Sequence, residues 1–183
     1  TLIFELTEKM DLEICYVTSV KEDPMLISKN LKIQPFYIGY GMARTKFFLT
    51  LKARILIMDM PDIGKFHIKR SKVYPVHYIY IFHSMFSVHS YLREGAVDHY
   101  DTIFCVGEHH KNEIREIEKI YGLKPKKLIE YGFGRLDTLL DQKEKLQKTN
   151  KKSNELIIIS PSYGKNNLFP ILYGLIFLIL LMF

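Results

Sequence analysis

The stretch VHYIYIF at residues 76–82, then His83 and Ser84, then a mixed segment to Gly95, then TIFCVG at residues 102–107, decides the fold. A run this apolar, bounded by polar residues, reads as a strand buried on both faces, the signature of a parallel sheet. Two parallel neighbours need a crossover between them, so the stretch that follows the polar break at His83 and Ser84, up to Gly95, is expected to be helical. His83 then stands where a strand ends and a helix begins. Ligands and chemistry collect just beyond the carboxyl ends of strands in open α/β sheets. An imidazole there can move a proton near neutral pH, and a helix N-terminus would favour its neutral, proton-accepting form. Ser84, Ser87, His89 and Ser90 crowd the same start with hydrogen-bonding groups.

Strands and helices alternate on either side of this unit. Leu2 to Met10 reads as helix, Leu12 to Thr18 as strand, Pro24 to Lys29 as a short helix or turn, and Ile33 to Ile38 as a weak strand. Ala43 to Leu51 follows as helix and Ala53 to Met58 as strand, ended by the turn chemistry of Asp59, Met60, Pro61 and Asp62. Glu108 to Tyr121 is a helix with Ile114, Ile117, Ile120 and Tyr121 expected on one face and Gly122 as its stop. Lys127 to Tyr131 reads as strand, and Leu136 to Gln147 as a helix with Leu136, Leu139, Leu140 and Leu146 inward. The fold class expected is α/β, a Rossmann-like parallel sheet with flanking helices.

The polar, aperiodic residues 148–154 read as a linker, so residues 1–147 form one domain. A new strand begins at Glu155 and turns at Pro161 to Gly164. Residues 155–167 are thus expected to open a second domain that is truncated. Residues 168–183 form an uncharged tail, short of the about 20 apolar residues a spanning helix needs. An anchor, a buried helix and a frame-shifted or truncated end are its three readings, and the last is favoured. The chain opens on Thr1, which suggests an incomplete N-terminus.

The 183 residues are 48% hydrophobic and 25% charged, which excludes a disordered chain. The net charge of +6, with lysines concentrated from Lys124 to Lys152, points to an anionic partner such as a membrane surface, a nucleotide or a polyanion. A solvated basic helix and linker is the plainer account of the same charges. Cys15 and Cys105 both lie in strand-like runs and suit buried, reduced thiols. His77, His83 and His89 share no recognised metal-ligand spacing, and His109 and His110, being adjacent on a helix, are not expected to face one site; no metal is expected. Neither a GxGxxG nor a GxxxxGK[ST] pattern occurs. Gly132 and Gly134 do fall between a strand and a helix, where they would turn the backbone tightly and expose amides at the helix N-terminus. Arg135 could meet a phosphate, and Asp137 is placed to cap the helix.

With these residues in view, YIYIFHSMFSVHSYLREGAVDHYDTIFCVGEHHKNEI (residues 78–114), YGFGRLD (131–137) and IIISPSYG (157–164) together resemble the CDP-glycerol glycerophosphotransferase family, builders of teichoic-acid and related surface polymers. The resemblance covers roughly Ala53 to Asn167. It implies a GT-B fold, two Rossmann-like halves facing across a cleft, of which this chain supplies the N-terminal half. It also implies that His83 is the base that deprotonates the acceptor hydroxyl. Tyr100 and Asp101 match the family's Tyr-Asp pair before the next strand, and Gly132, Gly134, Arg135 and Asp137 match its glycine-arginine-aspartate turn. Ser84 and Ser87 join these as acceptor- or phosphate-binding candidates. Ser160 to Gly164, with Ser162 as a further phosphate candidate, matches the opening of the nucleotide-binding domain.

The function implied is transfer of glycerol phosphate from CDP-glycerol to a membrane-linked or surface-polymer hydroxyl. The partners are a nucleotide-activated donor, a polyol-phosphate or glycan acceptor and an anionic membrane surface, with no nucleic acid and no cofactor. The expected location is the cytoplasmic face of the cell membrane, held peripherally. Two departures stand out. The family often has His-Gly-Thr after its catalytic strand, where this chain has His83, Ser84 and Met85, so acceptors on other surface glycans stay open. The residues that hold CDP in the family have no counterpart after Asn167, and the chain as it stands is expected to be inactive. The alternatives are another GT-B sugar-nucleotide enzyme, a glycosyltransferase or epimerase, and a non-catalytic membrane-associated fragment.

Overall fold

In the computed structural model, residues 2–66 and 68–148 are described. The order is α1 (Leu2–Lys9), β1 (Ile14–Thr18), a 3-10 turn (Pro24–Ile27), β2 (Ile33–Tyr37), α2 (Met42–Thr50), β3 (Ile55–Met58), β4 (His77–Ile81), α3 (Val88–Tyr91), β5 (Thr102–Cys105), α4 (Glu108–Ile120), β6 (Lys127–Glu130) and α5 (Gly134–Lys148). The protein is α/β with two parallel sheets, one of β1 and β2 and one in the order β3-β4-β5-β6. The chain divides into two units, Thr1–Asp141 and Gln142–Phe183, and both sheets belong to the first. The strand from Glu155, the turn holding Ser162, the tail 168–183 and all of the linker but Lys148 lie outside the described residues. Among the described residues no helix is long and apolar enough to cross a membrane.

β4 is the strand the sequence singles out, and Tyr78, Ile79 and Tyr80 are buried on both its faces. Tyr78, Tyr80 and Phe82 share one core with Ile103 and Cys105 of β5, Ile114 of α4, Phe48 of α2, and Ile63, Ile68, Val97 and Tyr100 from the connections. The Tyr80 ring lies edge-on to Phe82 and tilted against Tyr100, the arrangement aromatic quadrupoles favour. Burial pushes the Cys105 thiol up to about 11, so it is a packing group rather than a nucleophile. Cys15, by contrast, is exposed on β1 and not buried as expected.

The amino ends of β4 and β5 are locked by Arg70. Its guanidinium forks onto Asp101 at 2.9 and 3.2 Å and donates to the carbonyls of His99 and Val76. Asp101 also accepts the Tyr78 N–H at 2.8 Å. Burial would raise the Asp101 carboxyl, but these bonds and the Arg70 charge outweigh it and hold the group below the usual carboxylate range. Tyr100 donates its hydroxyl to the Met60 carbonyl. The Tyr-Asp pair of the resemblance therefore staples connections to the sheet.

Helix α4 buries His110, Ile114 and Glu118, one residue per turn. Ile120 was expected on that face but is 69% exposed, because six residues from Ile114 turn it about 120° away. The helix ends in a Schellman cap: Gly122 takes φ +61° and the Leu123 N–H reaches the Glu118 carbonyl at 2.8 Å. The leucines of α5 are also a correction. Leu136, Leu139, Leu140 and Leu146 are exposed, not inward. The helix departs from the edge strand β6, and every described side chain from Gly134 to Leu146 is exposed.

Candidate functional site

The carboxyl edge of the larger sheet gathers the loops after β4, β5 and β6. His83 stands there, two residues past the end of β4 and exposed. No helix begins at His83, which corrects the expectation from sequence. Residues 83–87 are irregular, and α3 covers only Val88–Tyr91, stopped by the extended Leu92. The helix-dipole argument for a neutral His83 therefore has no helix to act through.

The loop is held from outside. His109 Nε2 donates to the Met85 carbonyl at 3.1 Å and His110 Nε2 to the Phe86 carbonyl at 2.8 Å. Glu113 accepts the Val88 N–H at 2.6 Å. Both adjacent histidines thus address one loop, contrary to expectation. They sit in the first turn of α4, where the helix end faces the loop directly, and their rings meet edge-on at 4.3 Å. The His109 ring packs close to Gly107, where a Cβ would lie 3.3 Å from Nδ1.

His110 is fully buried, with its ring 4.0 Å from that of Phe82. Its Nδ1 accepts the Val106 N–H at 3.4 Å, which fixes the neutral tautomer with the proton on Nε2. Burial lowers its pKa; the repulsion of His109 adds to this, while the Phe86 carbonyl and Glu113 oppose it. These three α4 side chains were missed as a site in the sequence. The only signal was the doubled histidine one turn before a glutamate.

The serines have local roles. Ser84 Oγ accepts the Phe86 N–H at 3.3 Å, closing a turn that competes with helix. Ser87 precedes α3 and makes no side-chain cap; its carbonyl takes the Ser90 N–H and hydroxyl.

The glycine-arginine-aspartate turn lies after β6. Gly132 needs its glycine, with φ +80°, but its N–H points back to the Cys105 carbonyl at 3.3 Å and is not presented to a ligand. Gly134 opens α5, Arg135 is exposed, and among the described residues Arg135 makes no hydrogen bond or ion pair. Asp137 is within the first turn of the helix rather than at its cap, where its charge still complements the dipole. β5 lies between β4 and β6, so this turn and His83 are roughly 10 Å apart across the sheet edge. Among the described residues no group of three or more His, Cys, Asp or Glu side chains is arranged to hold a metal. Comparison of the chain with protein-family models, with curated proteins and with solved structures found no match.

Proposed function

We propose that the chain is the acceptor-side, Rossmann-like half of a GT-B transferase that moves glycerol phosphate from CDP-glycerol to a hydroxyl of a surface polymer. One observation carries the reading. Two of the three segments that resemble the family, residues 78–114 and 131–137, fall on successive loops at one edge of a parallel sheet, with His83 after β4, the histidine pair after β5, and Gly132 to Asp137 after β6.

In this reading His83 takes the proton from the acceptor hydroxyl. The freed oxygen attacks the phosphorus bonded to glycerol, the bond from that phosphorus to the bridging oxygen breaks, and CMP leaves with the electron pair. Arg135 faces the phosphoryl charge from across the edge. The donor is held by the nucleotide-binding half, and lysines from Lys124 onward draw the protein to the anionic cytoplasmic face of the membrane.

The test is release of CMP and incorporation of labelled glycerol phosphate by an enzyme carrying both halves, with and without His83→Ala. The substitution should lower transfer by at least about 100-fold, the usual size of a general-base effect. Near-normal turnover removes His83 from the chemistry. Consumption of UDP-sugars in place of CDP-glycerol moves the protein to the glycosyltransferases or epimerases.

A further inference from the structure

A cleft opens beyond the carboxyl end of β3, with a volume of about 280 Å³, at the small end of ligand pockets. Three charged side chains from separate elements line it. Arg44 comes from the first turn of α2, Asp62 from the turn after β3, and Arg93 from the connection after α3. The turn is firmly placed. Asp62 has φ +65°, and its N–H bonds to the Ala96 carbonyl at 2.7 Å, which ties it to the segment that carries Arg93.

The Asp62 side chain is only 10% exposed. Its Oδ2 lies 3.5 Å from Arg93 Nε, and Lys65 Nζ stands 4.0 Å from Oδ1. Yet Oδ1 is buried without a hydrogen-bond partner among the described residues, and so is Arg44 Nε. Buried polar atoms rarely go unpaired, because the lost hydration is not replaced. Here a donor and an acceptor are left unpaired on two of the residues that line one cleft. A ligand that satisfies both must bring an anionic oxygen for Arg44 and a donor for Asp62.

Charge selects the anion. The guanidinium groups of Arg44 and Arg93 stand against the one Asp62 carboxylate in the lining, an excess of positive charge that suits an anion, and two planar guanidiniums suit a phosphate. Met60, Phe66 and Ile68 supply an apolar wall, and Arg93 lies over the Phe66 ring at 5.5 Å. The geometry points to a binding site for a small hydroxylated phosphomonoester. Arg44 and Arg93 clamp the phosphate, a ligand hydroxyl donates to Asp62 Oδ1, and the carbon chain rests on Met60 and Phe66. The assignment stands on the cleft alone and survives the loss of the transferase reading.

Titration calorimetry of the full chain with three probes tests it: glycerol 3-phosphate, ethyl phosphate, which lacks the hydroxyls, and glycerol, which lacks the phosphate. Glycerol 3-phosphate should bind, ethyl phosphate several-fold more weakly, and glycerol not measurably. Arg93→Gln changes an exposed side chain and leaves the fold intact, and Arg44→Gln is checked by its circular dichroism. Each should weaken glycerol 3-phosphate by at least about tenfold, as the loss of a charge-assisted bond requires. Asp62→Gly, which removes the accepting oxygens and tolerates the same backbone angle, should erase the preference for glycerol 3-phosphate over ethyl phosphate. No binding of either ester overturns the site. So does affinity unchanged in Arg93→Gln, or a hydroxyl preference that survives Asp62→Gly.

Discussion

His110→Phe isolates what the buried imidazole does for the loop that carries His83. Phenylalanine keeps the ring contact with Phe82, so the change removes hydrogen bonds and little packing. The bond to the Phe86 carbonyl, at 2.8 Å, is worth about 1 kcal/mol as a neutral pair. The Val106 contact, at 3.4 Å, is weak, but losing it orphans an N–H at a further cost of about 1 kcal/mol. The expected loss is therefore about 2 kcal/mol at pH 7.5. With twelve tyrosines and no tryptophan, the chain is best followed in urea by far-ultraviolet circular dichroism.

The pH dependence is the sharper part. Burial lowers the His110 pKa, so the unfolded chain binds this proton at higher pH than the folded one. The stabilisation is complete above the unfolded value of about 6.5 and is lost as pH falls through the lower, folded value. A second proton on Nδ1 would face the Val106 N–H, donor against donor. His109 and Glu113 titrate close by and are present in both proteins, so the difference between wild type and variant reports His110. That difference should shrink below pH 6.5 by up to about 1.4 kcal/mol per pH unit, the limit for one proton. A difference that stays constant from pH 7.5 to 5 refutes the neutral, buried imidazole.

Two further substitutions address parts of the frame. Glu118 is 5% exposed, accepts the Lys126 N–H at 2.7 Å and pairs with Arg115 and with the buried Lys126 ammonium at 3.9 Å. Glu118→Ala strands that ammonium and should cost about 3–5 kcal/mol in urea titration, with Glu118→Leu and Lys126→Met together recovering most of it; a loss below about 1 kcal/mol would show the pair to be hydrated. Gly122→Ala meets no atom within 4 Å of the new Cβ, so only its backbone angle of +61° resists. The same titration should read about 1–2 kcal/mol for alanine and less for asparagine, and equal losses for the two would remove the left-handed cap as the cause.

β3, β4 and β5 were legible because each is a short apolar run, and their parallel pairing follows from the lengths between them; β2 and β6 carry polar residues and a weaker signal. Residues 83–95 were misread because their backbone partners lie elsewhere. Met85, Phe86 and Val88 bond to His109, His110 and Glu113, more than 20 positions away, and Ser84 closes a local turn; no local propensity registers such partners. The α5 leucines show the reverse. Their spacing is helical and the helix exists, but periodicity says nothing about whether a facing surface is present. Arg44, Asp62 and Arg93 escaped notice because they meet only through the fold, and the sole local trace was the turn at Asp59 to Asp62.

The irregular loop changes what must be asked of His83. A histidine on a helix N-terminus would be held by the helix and biased toward the neutral form by its dipole. His83 instead follows a rigid strand on one side, and on the other leads into a segment tied to α4 at Met85, Phe86 and Val88. Its position is therefore set by the packing of α4 on β5 as much as by β4. A base must come within about 2.6–3.2 Å of the proton it takes, and a shift near 1 Å is costly. Loosening the α4 clamp should thus impair a reaction at His83 without touching the imidazole itself. His110→Phe is the natural probe, because Phe82, which its ring supports, is the residue immediately before His83. In the transfer assay it should lower turnover more than it changes acceptor affinity. An equal effect on both would place the loop in binding and leave the chemistry to another group.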